Sequence, residues 1–351
     1  MTPIKDSHAE IAKRIDLIED EIACINPLLL KLLLKDKTTR HNILWCTKDY
    51  EALGPDYNER AQIFAELITG INSAVIQPRA AKSKAVQDMR VRKRAEVFTP
   101  SWICNAQNNQ IDNAWFGREN IFNTENGTGW ITTKAAISFE KKGKTWKAYV
   151  DAKRLEITCG EAPYLVSRYD TTTGDLIPIY ERIGLFDRKM RVVNENCTEA
   201  ADWIKWSKRA LRSVYGYEFQ GDSVLIAREN LLYDYIDYYR DRFGSEPDFA
   251  YLKGIANIIA WNIWQMDGLK YVVPYSCHET AAPKEMQLSL FDFMNEAAEP
   301  QEAEKQPCPG CIKNNIFAHT GIYCKIYDWT NLNKSIPFIS LLKGGTKNGT
   351  V

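Results

Sequence analysis

The chain has 351 residues, of which 45% are hydrophobic and 26% are charged, a composition that excludes wholesale disorder. Lys plus Arg and Asp plus Glu both total 45, so the net charge by itself favours no nucleic-acid or acidic partner. The longest apolar run, Leu28 to Leu34, contains Lys31 and is far shorter than the roughly 20 residues that a membrane span needs, so we expect no membrane-spanning helix.

The first ninety residues have helical patterns. Ser7 and Glu10 fit a capping box, and isoleucines then recur at helical spacing until Pro27. A second helical pattern runs from Ala61 to Gly70, and a basic stretch, Arg79 to Arg94, follows it. Such a stretch either contacts phosphates or forms a solvated helix face. We therefore predict a helical N-terminal region over residues 1–90.

Residues 91–275 have the pattern of an α/β domain. Short apolar runs, such as Ala148 to Val150 and Leu155 to Ile157, alternate with helical patterns at Ala200 to Val214 and Leu225 to Tyr238. Residues 276–306 are rich in Glu, Ala, Pro and Gln and predict an acidic, flexible linker. Residues 307–351 then form a small tail that carries Cys and His.

Four separated segments of the α/β region carry a family resemblance. They are Glu96 to Pro100, Leu155 to Ala162, Tyr215 to Phe219 with Ala227 to Leu231, and Asn262 to Leu269. In this order they resemble the N6-adenine DNA methyltransferases of restriction-modification systems (endonuclease subunit M type). The resemblance implies an α/β, Rossmann-like sheet of the S-adenosylmethionine-dependent methyltransferase fold, covering about residues 90 to 275.

The resemblance also implies which residues bind S-adenosyl-L-methionine. They are Phe98, Thr99 and Pro100 at the methionine end, the strand-to-turn residues Glu156, Thr158, Cys159 and Gly160, Glu218 on the ribose hydroxyls, and Asp267 on the adenine amino group. A helix is expected directly after the turn, where its free N–H groups face the cofactor carboxylate. Ile157 and Ala162 depart from the family pattern, which commonly has Pro and Gly at these positions.

The family's catalytic motif is missing. It consists of Asn, Asp or Ser, then Pro-Pro and an aromatic residue, and its nearest counterpart, Ser335 to Phe338, lacks one proline. We therefore expect a cofactor-binding, DNA-directed subunit that is weak or inactive without a partner subunit. One alternative is a non-catalytic DNA-binding or regulatory protein on the same fold. Another is a metal-dependent nuclease, suggested by Asp151 and Lys153 after an apolar run, with Pro55-Asp56 far upstream.

The tail has the ligand pattern of a zinc site. Cys308 and Cys311 flank a Pro-Gly turn, and His319 and Cys324 follow. Thiolate and imidazole groups suit tetrahedral zinc, although unligated thiols are the alternative. Cys277 or His278 are rival ligands for His319. The remaining cysteines are scattered and we recognise no secretory signal, so reduced thiols and a cytoplasmic location are expected.

A short peptide in the acidic linker resembles a docking motif. Its residues are Gln287, Leu288, Leu290 and Phe291, a polar group followed by spaced apolar side chains. The pattern resembles the peptide by which bacterial proteins bind the replication sliding clamp. Packing of this peptide on its own domain is the alternative.

Overall fold

The computed structural model describes residues 15, 19–94, 99–140, 143–281, 305–330 and 333–344. Within these ranges, no helix combines the length and the apolar character needed to cross a bilayer. The architecture is mixed α/β, with several small sheets among the helices.

The helices alternate with short strands along the chain. The α-helices are α1 (Glu19–Ile25), α2 (Pro27–Leu34), α3 (Lys84–Arg94), α4 (Ser101–Phe116), α5 (Trp146–Asp151), α6 (Leu185–Asn196), α7 (Ala200–Arg212), α8 (Gly221–Phe243), α9 (Phe249–Asn262), α10 (Pro309–Lys313) and α11 (Ser340–Gly344). The strands are β1 (Asn123–Asn126), β2 (Gly129–Thr132), β3 (Arg154–Ile157), β4 (Val214–Glu218), β5 (Ile263–Gln265), β6 (Thr280–Ala281), β7 (Lys305–Gln306), β8 (Lys325–Asp328) and β9 (Lys334–Pro337).

The central sheet is parallel and has the order β3-β4-β5. Helices α6 and α7 connect β3 to β4, and helices α8 and α9 connect β4 to β5. The middle strand β4 is buried along its whole length. A Cβ atom at Gly216 would lie only 3.0 Å from Ile263 Cδ1 and 3.1 Å from Cys159 Sγ, so the absence of a side chain here lets the three strands pack closely.

The sheet is covered on both faces. Val214 and Ile263 belong to the main core, which the helices share. On the other face, Tyr215, Tyr217 and Trp264 pack against tail residues, among them Ile326 and Phe338. The tail therefore covers this face of the sheet and buries the aromatic side chains of β4 and β5.

Backbone pairing also joins the tail to the α/β region. Val273 donates its N–H to Ile322 O at 2.8 Å, and Cys324 donates to Tyr271 O at 3.1 Å. Strand β6 pairs antiparallel with β7, which brings Ala281 and Lys305 side by side. Cys277 lies in the residues predicted as linker, yet it belongs to this folded part of the chain.

Several predicted elements differ from the observed ones. Residues Ala61 to Gly70 form turns with a 3-10 helix at Ala65–Leu67 rather than an α-helix. The apolar run Ala148 to Val150 lies in helix α5, because the Thr145 side chain accepts the N–H of Ala148 and caps the helix. No α-helix follows the turn after β3 directly, since α6 begins only at Leu185.

Candidate functional site

Four potential metal ligands meet where the tail rejoins the α/β region. They are Cys277, Cys308, Cys311 and His319, whose ligand atoms all lie within 4.8 Å of one another. His319 Nδ1 is 3.7 Å from Cys277 Sγ, 3.5 Å from Cys308 Sγ and 3.7 Å from Cys311 Sγ.

These distances match a tetrahedral zinc site. With Zn–S bonds of about 2.3 Å and a Zn–N bond of about 2.05 Å, a tetrahedral ion places sulfur and nitrogen about 3.6 Å apart. The three observed separations lie close to this value, so the side chains already have the spacing that zinc requires. A complete set of four protein ligands is typical of structural zinc, because a catalytic ion keeps one position open for water.

The backbone lies very close to the ligand side chains of this cluster. Helix α10 begins after Cys308 with proline at its first position, and the Thr320 N–H donates to Cys308 Sγ at 3.2 Å. A Cβ atom at Gly310 would lie 2.6 Å from the N atom of His319 and 2.7 Å from its Nδ1. A Cβ atom at Gly321 would lie 3.0 Å from Cys277 Sγ. Both glycines are therefore required by the packing of the ligands.

The thiols of the cluster differ in acidity. Burial opposes ionisation of Cys308, but hydrogen bonds from Thr320, Cys311 and His319 outweigh it and lower the pKa of this thiol to about 5. Burial and the neighbouring thiols Cys308 and Cys311 raise the pKa of Cys277 to about 12. Burial would lower the pKa of Lys270, but Asp267 and the thiols of Cys311 and Cys277 raise it. If zinc were bound, this ammonium group would offset the charge of −1 that three thiolates leave on Zn²⁺.

The observed cluster differs from the predicted ligand set by one residue. Cys308, Cys311 and His319 lie together, but Cys324 does not join them, because its fully buried thiol points to Gln265 O at 3.4 Å. Cys277, which the sequence indicates only as a rival of His319, is the fourth member, and His278 is not in the group.

Replacing Gly310 by alanine is expected to weaken zinc binding at least tenfold, because the new methyl group overlaps His319 and displaces its imidazole ring. Competition with a chromophoric chelator measures this affinity. Gly254→Ala is the matched control, since Gly254 lies in α9 and a methyl group added there would meet nothing within 4 Å. Equal zinc affinity of the two variants would contradict the assigned geometry.

The carboxyl edge of the central sheet brings the predicted cofactor residues together. Gly160, which follows β3, donates its N–H to Glu218 Oε2 at 3.1 Å. Met266, which follows β5, donates its N–H to Glu218 O at 2.9 Å, and Asp267 comes next. Three of the four segments that carry the family resemblance thus meet at this edge, because the carboxyl ends of parallel strands lie at the same edge of a sheet.

The turn after β3 has an unusual backbone. Thr158, Gly160 and Ala162 have φ angles of 46°, 53° and 63°, in the left-handed region that favours glycine. Ala162 occupies the position where the resembling family commonly has its second glycine, and it keeps a glycine-like conformation while fully buried. Cys159 between them is buried, and its N–H donates to Tyr217 O at 2.9 Å.

The acidic side chains at this edge are engaged by the protein itself. Glu218 accepts the N–H groups of Gly160, Phe219 and Gln220. Burial raises the pKa of Glu218, although these hydrogen bonds act to lower it. Burial likewise raises the pKa of Glu156 well above its usual range, although two backbone N–H groups donate to it. Asp267 accepts the N–H groups of Leu269 and Lys270 and pairs with the Lys270 ammonium at 3.2 Å.

The remaining resembling segment lies beside the loop that follows β3. Thr99 O accepts the Thr171 hydroxyl at 3.3 Å and the Cys104 thiol at 3.6 Å. Pro100 precedes helix α4, whose first N–H, that of Ser101, donates to Asp170 at 2.7 Å. Phe98 lies outside the described residues.

The N-terminal region packs against the same edge. Leu44 exchanges two hydrogen bonds with the Gln265 side chain, and a Cβ atom at Gly221 would lie 2.0 Å from Leu44 O. Asp222, at the start of α8, pairs with Arg90 at 2.8 Å and Lys82 at 3.4 Å. These cations outweigh burial and hold the pKa of Asp222 far below its usual range. Sequence reasoning missed this cluster, which turns two cations of the basic stretch inward.

The residues of the candidate catalytic segments make structural contacts. Phe338 is buried against Tyr217 and Trp264, so its ring packs in the core, and Ser335 lies in β9 opposite Tyr327. Asp151 ends a helix rather than a strand, and Arg209 binds both of its carboxylate oxygens, which does not favour the nuclease alternative. Pro55-Asp56 lies in a 3-10 helix.

The peptide with Gln287, Leu288, Leu290 and Phe291 lies outside the described residues. Comparison of the chain with known proteins found no matching family model, no matching curated protein and no matching solved structure.

Proposed function

We propose that the chain is an S-adenosylmethionine-binding, DNA adenine-N6 methyltransferase-like subunit of a restriction-modification system, with a structural zinc site. The observation that carries the proposal is the meeting of Gly160, Glu218 and Asp267 at the ends of three adjacent parallel strands. Ligands of open α/β sheets bind at this edge of the strands. The position of Thr99 and Pro100 beside the loop after β3 adds support.

The free acceptor positions decide what each acid would bind. A carboxylate has about four acceptor positions. Glu218 already uses three of them and Asp267 also uses three, which leaves one on each. Glu218 would thus accept one ribose hydroxyl, and Asp267 would accept one hydrogen of the adenine amino group. A second ribose hydroxyl would require one of the three N–H groups to release its bond to Glu218.

The same observations favour a role in which cofactor binding is separated from methyl transfer. The bound cofactor supplies an electrophilic methyl group, but an acceptor for both protons of the target amino group is also needed. The buried Phe338 ring leaves the Ser335 segment without a surface on which a flipped base would stack. A non-catalytic DNA-binding protein on this fold is therefore our second candidate.

Calorimetry with S-adenosylhomocysteine tests the cofactor proposal. We expect micromolar binding to the full chain and at least tenfold weaker binding to Glu218→Gln, because a hydrogen bond to a charged acceptor contributes about 1.5 to 3 kcal/mol. Asp267→Asn should also weaken binding. Glu246→Gln is the control, since Glu246 lies on the surface and pairs with Arg240. No binding to the parent chain, or equal binding by Glu218→Gln, would overturn the proposal.

A further inference from the structure

A basic hollow lies at the amino edge of the central sheet, opposite the proposed cofactor edge. It is lined by the end of α7, the start of β3 and the turn after β8, with Asp151, Lys153, Arg209, Arg212, Trp329 and Thr330 among its residues. Its volume of about 30 Å³ has room for about two water-sized groups. We call this hollow the amino-edge site.

The cations of the amino-edge site outnumber its carboxylates. Lys153, Arg209 and Arg212 line it together with one acid, Asp151. Asp151 binds the Arg209 guanidinium through both oxygens. Asp328 pairs with the Lys153 ammonium at 3.7 Å, and it also accepts the Thr330 N–H and hydroxyl. Two carboxylates thus face the three cations, which leaves one positive charge in excess.

Arg212 carries the excess positive charge of the hollow. Its guanidinium stacks over the Trp329 ring at 4.9 Å, and its buried Nε atom has no hydrogen-bond partner. Burial and the neighbouring Arg209 lower the pKa of Arg212. A buried cationic donor without an acceptor is costly, so an anion in the hollow would supply what the protein does not.

Helix α7 continues the positive surface. Lys205, Lys208, Arg209 and Arg212 recur at three- and four-residue spacing, so they share one face of the helix. Like charges at this spacing repel, and within the protein Asp151 offsets the charge of Arg209. Arg212 is among the causes that lower the pKa of Lys208, after burial.

The basic stretch Arg79 to Arg94 offers a less suitable surface. Lys82 and Arg90 are committed to Asp222 in the interior. Lys84 and Arg92 remain exposed there without an aromatic platform among the contacts of the described residues. Arg212, by contrast, is held in place by Trp329 beside two further cations.

We infer that the amino-edge site binds a backbone phosphate of duplex DNA through Lys153 and Arg212, beside the Arg209–Asp151 pair. A guanidinium group matches the geometry of phosphate oxygens, and its contacts give affinity without sequence choice. The choice of duplex DNA rests on the proposed function, whereas binding of a phosphate group at this place does not.

The test compares two double variants of the full chain that remove equal charge. Lys153→Gln with Arg212→Gln changes the amino-edge site, and Lys84→Gln with Arg92→Gln changes the exposed face of α3. Fluorescence anisotropy with a labelled duplex of mixed sequence measures binding at several salt concentrations. We expect the first variant to bind at least tenfold more weakly, with the slope against log salt reduced by about 0.9 for the one phosphate contact that is lost. The second should bind within about twofold of the parent.

Three further measurements keep the outcomes distinct. Thermal unfolding checks that both variants fold, and Lys153→Arg with Arg212→Lys should restore duplex binding because it preserves the charge. Calorimetry with S-adenosylhomocysteine on the first variant should be unchanged, which separates a failure of this site from a failure of the cofactor proposal. Equal loss of duplex binding in both double variants, or none in the first, would overturn the inference. Saturation of the site by inorganic phosphate with no binding of duplex would also overturn it.

Discussion

Removal of zinc by a chelator is expected to unfold the segment from Cys308 to His319 and to lower the thermal midpoint of the whole chain. The four side chains come from both sides of segment 282–304, so a bound metal would join Cys277 to the tail. The tail in turn covers Tyr215, Tyr217 and Trp264 on one face of the sheet. Binding of a structural zinc has an apparent free energy of about 10 to 16 kcal/mol, which is large compared with ordinary protein stability.

Elemental analysis of protein purified without chelator should give one zinc per chain. Cys308→Ser with Cys311→Ser should abolish zinc content, and Cys277→Ser should reduce it strongly. The informative control is Cys324→Ser, because Cys324 is a cysteine of the same tail whose thiol points away from the cluster. Full zinc content in the double variant, or loss of zinc in Cys324→Ser alone, would refute the observed ligand set.

The difference between the predicted and observed ligands has a physical cause. The pair Cys308 and Cys311 is recognisable because a Pro-Gly turn fixes the relation of the two thiols locally. Cys277 reaches the cluster only through the pairing of β6 with β7 and of Val273 with Ile322. Sequence order contains no trace of these long-range contacts, whereas Cys324 looked suitable simply because it follows His319 closely.

The apolar pattern of the sequence predicts some of the helices and strands correctly, but not all of them. The run Leu155 to Ile157 is strand β3, and the helical patterns at Ala200 and Leu225 lie in α7 and α8. Ala148 to Val150 is too short to distinguish a strand from a helix by periodicity alone. Here the Thr145 side chain caps a helix, and this helix buries Tyr149 and Val150.

The hydrogen-bond partners of the acidic residues at the carboxyl edge of the sheet could not be predicted from the sequence. Glu218 lies at the end of β4 as the resemblance implied, but its carboxylate binds the backbone of its own and the neighbouring turn. The left-handed residues Thr158, Gly160 and Ala162 shape the turn that directs the Gly160 N–H toward it. Such backbone angles depend on the packing of the whole edge.

The isolated chain is expected to transfer no measurable methyl group to DNA, even where it binds the cofactor. Positioned acceptors for developing charge typically contribute two to three orders of magnitude in rate, and the family's acceptor tetrapeptide is missing from this sequence. The nearest substitute places Phe338 in the core, where Tyr217, Trp264 and Tyr271 surround its ring. Exposing this ring to a base would cost the packing of that face of the sheet.

The assay uses tritiated S-adenosylmethionine, duplex DNA of mixed sequence and the pure chain, with an active adenine methyltransferase as the positive control. Label should stay at background in the parent chain and in Ser335→Ala alike. Addition of a partner subunit that carries the acceptor motif should restore transfer, because the chain would then need only to present the cofactor and hold the duplex. Robust labelling of adenine by the chain alone would contradict this expectation. Loss of that labelling in Ser335→Ala would then assign the acceptor role to β9, and the tail would have to move away from the sheet during the reaction.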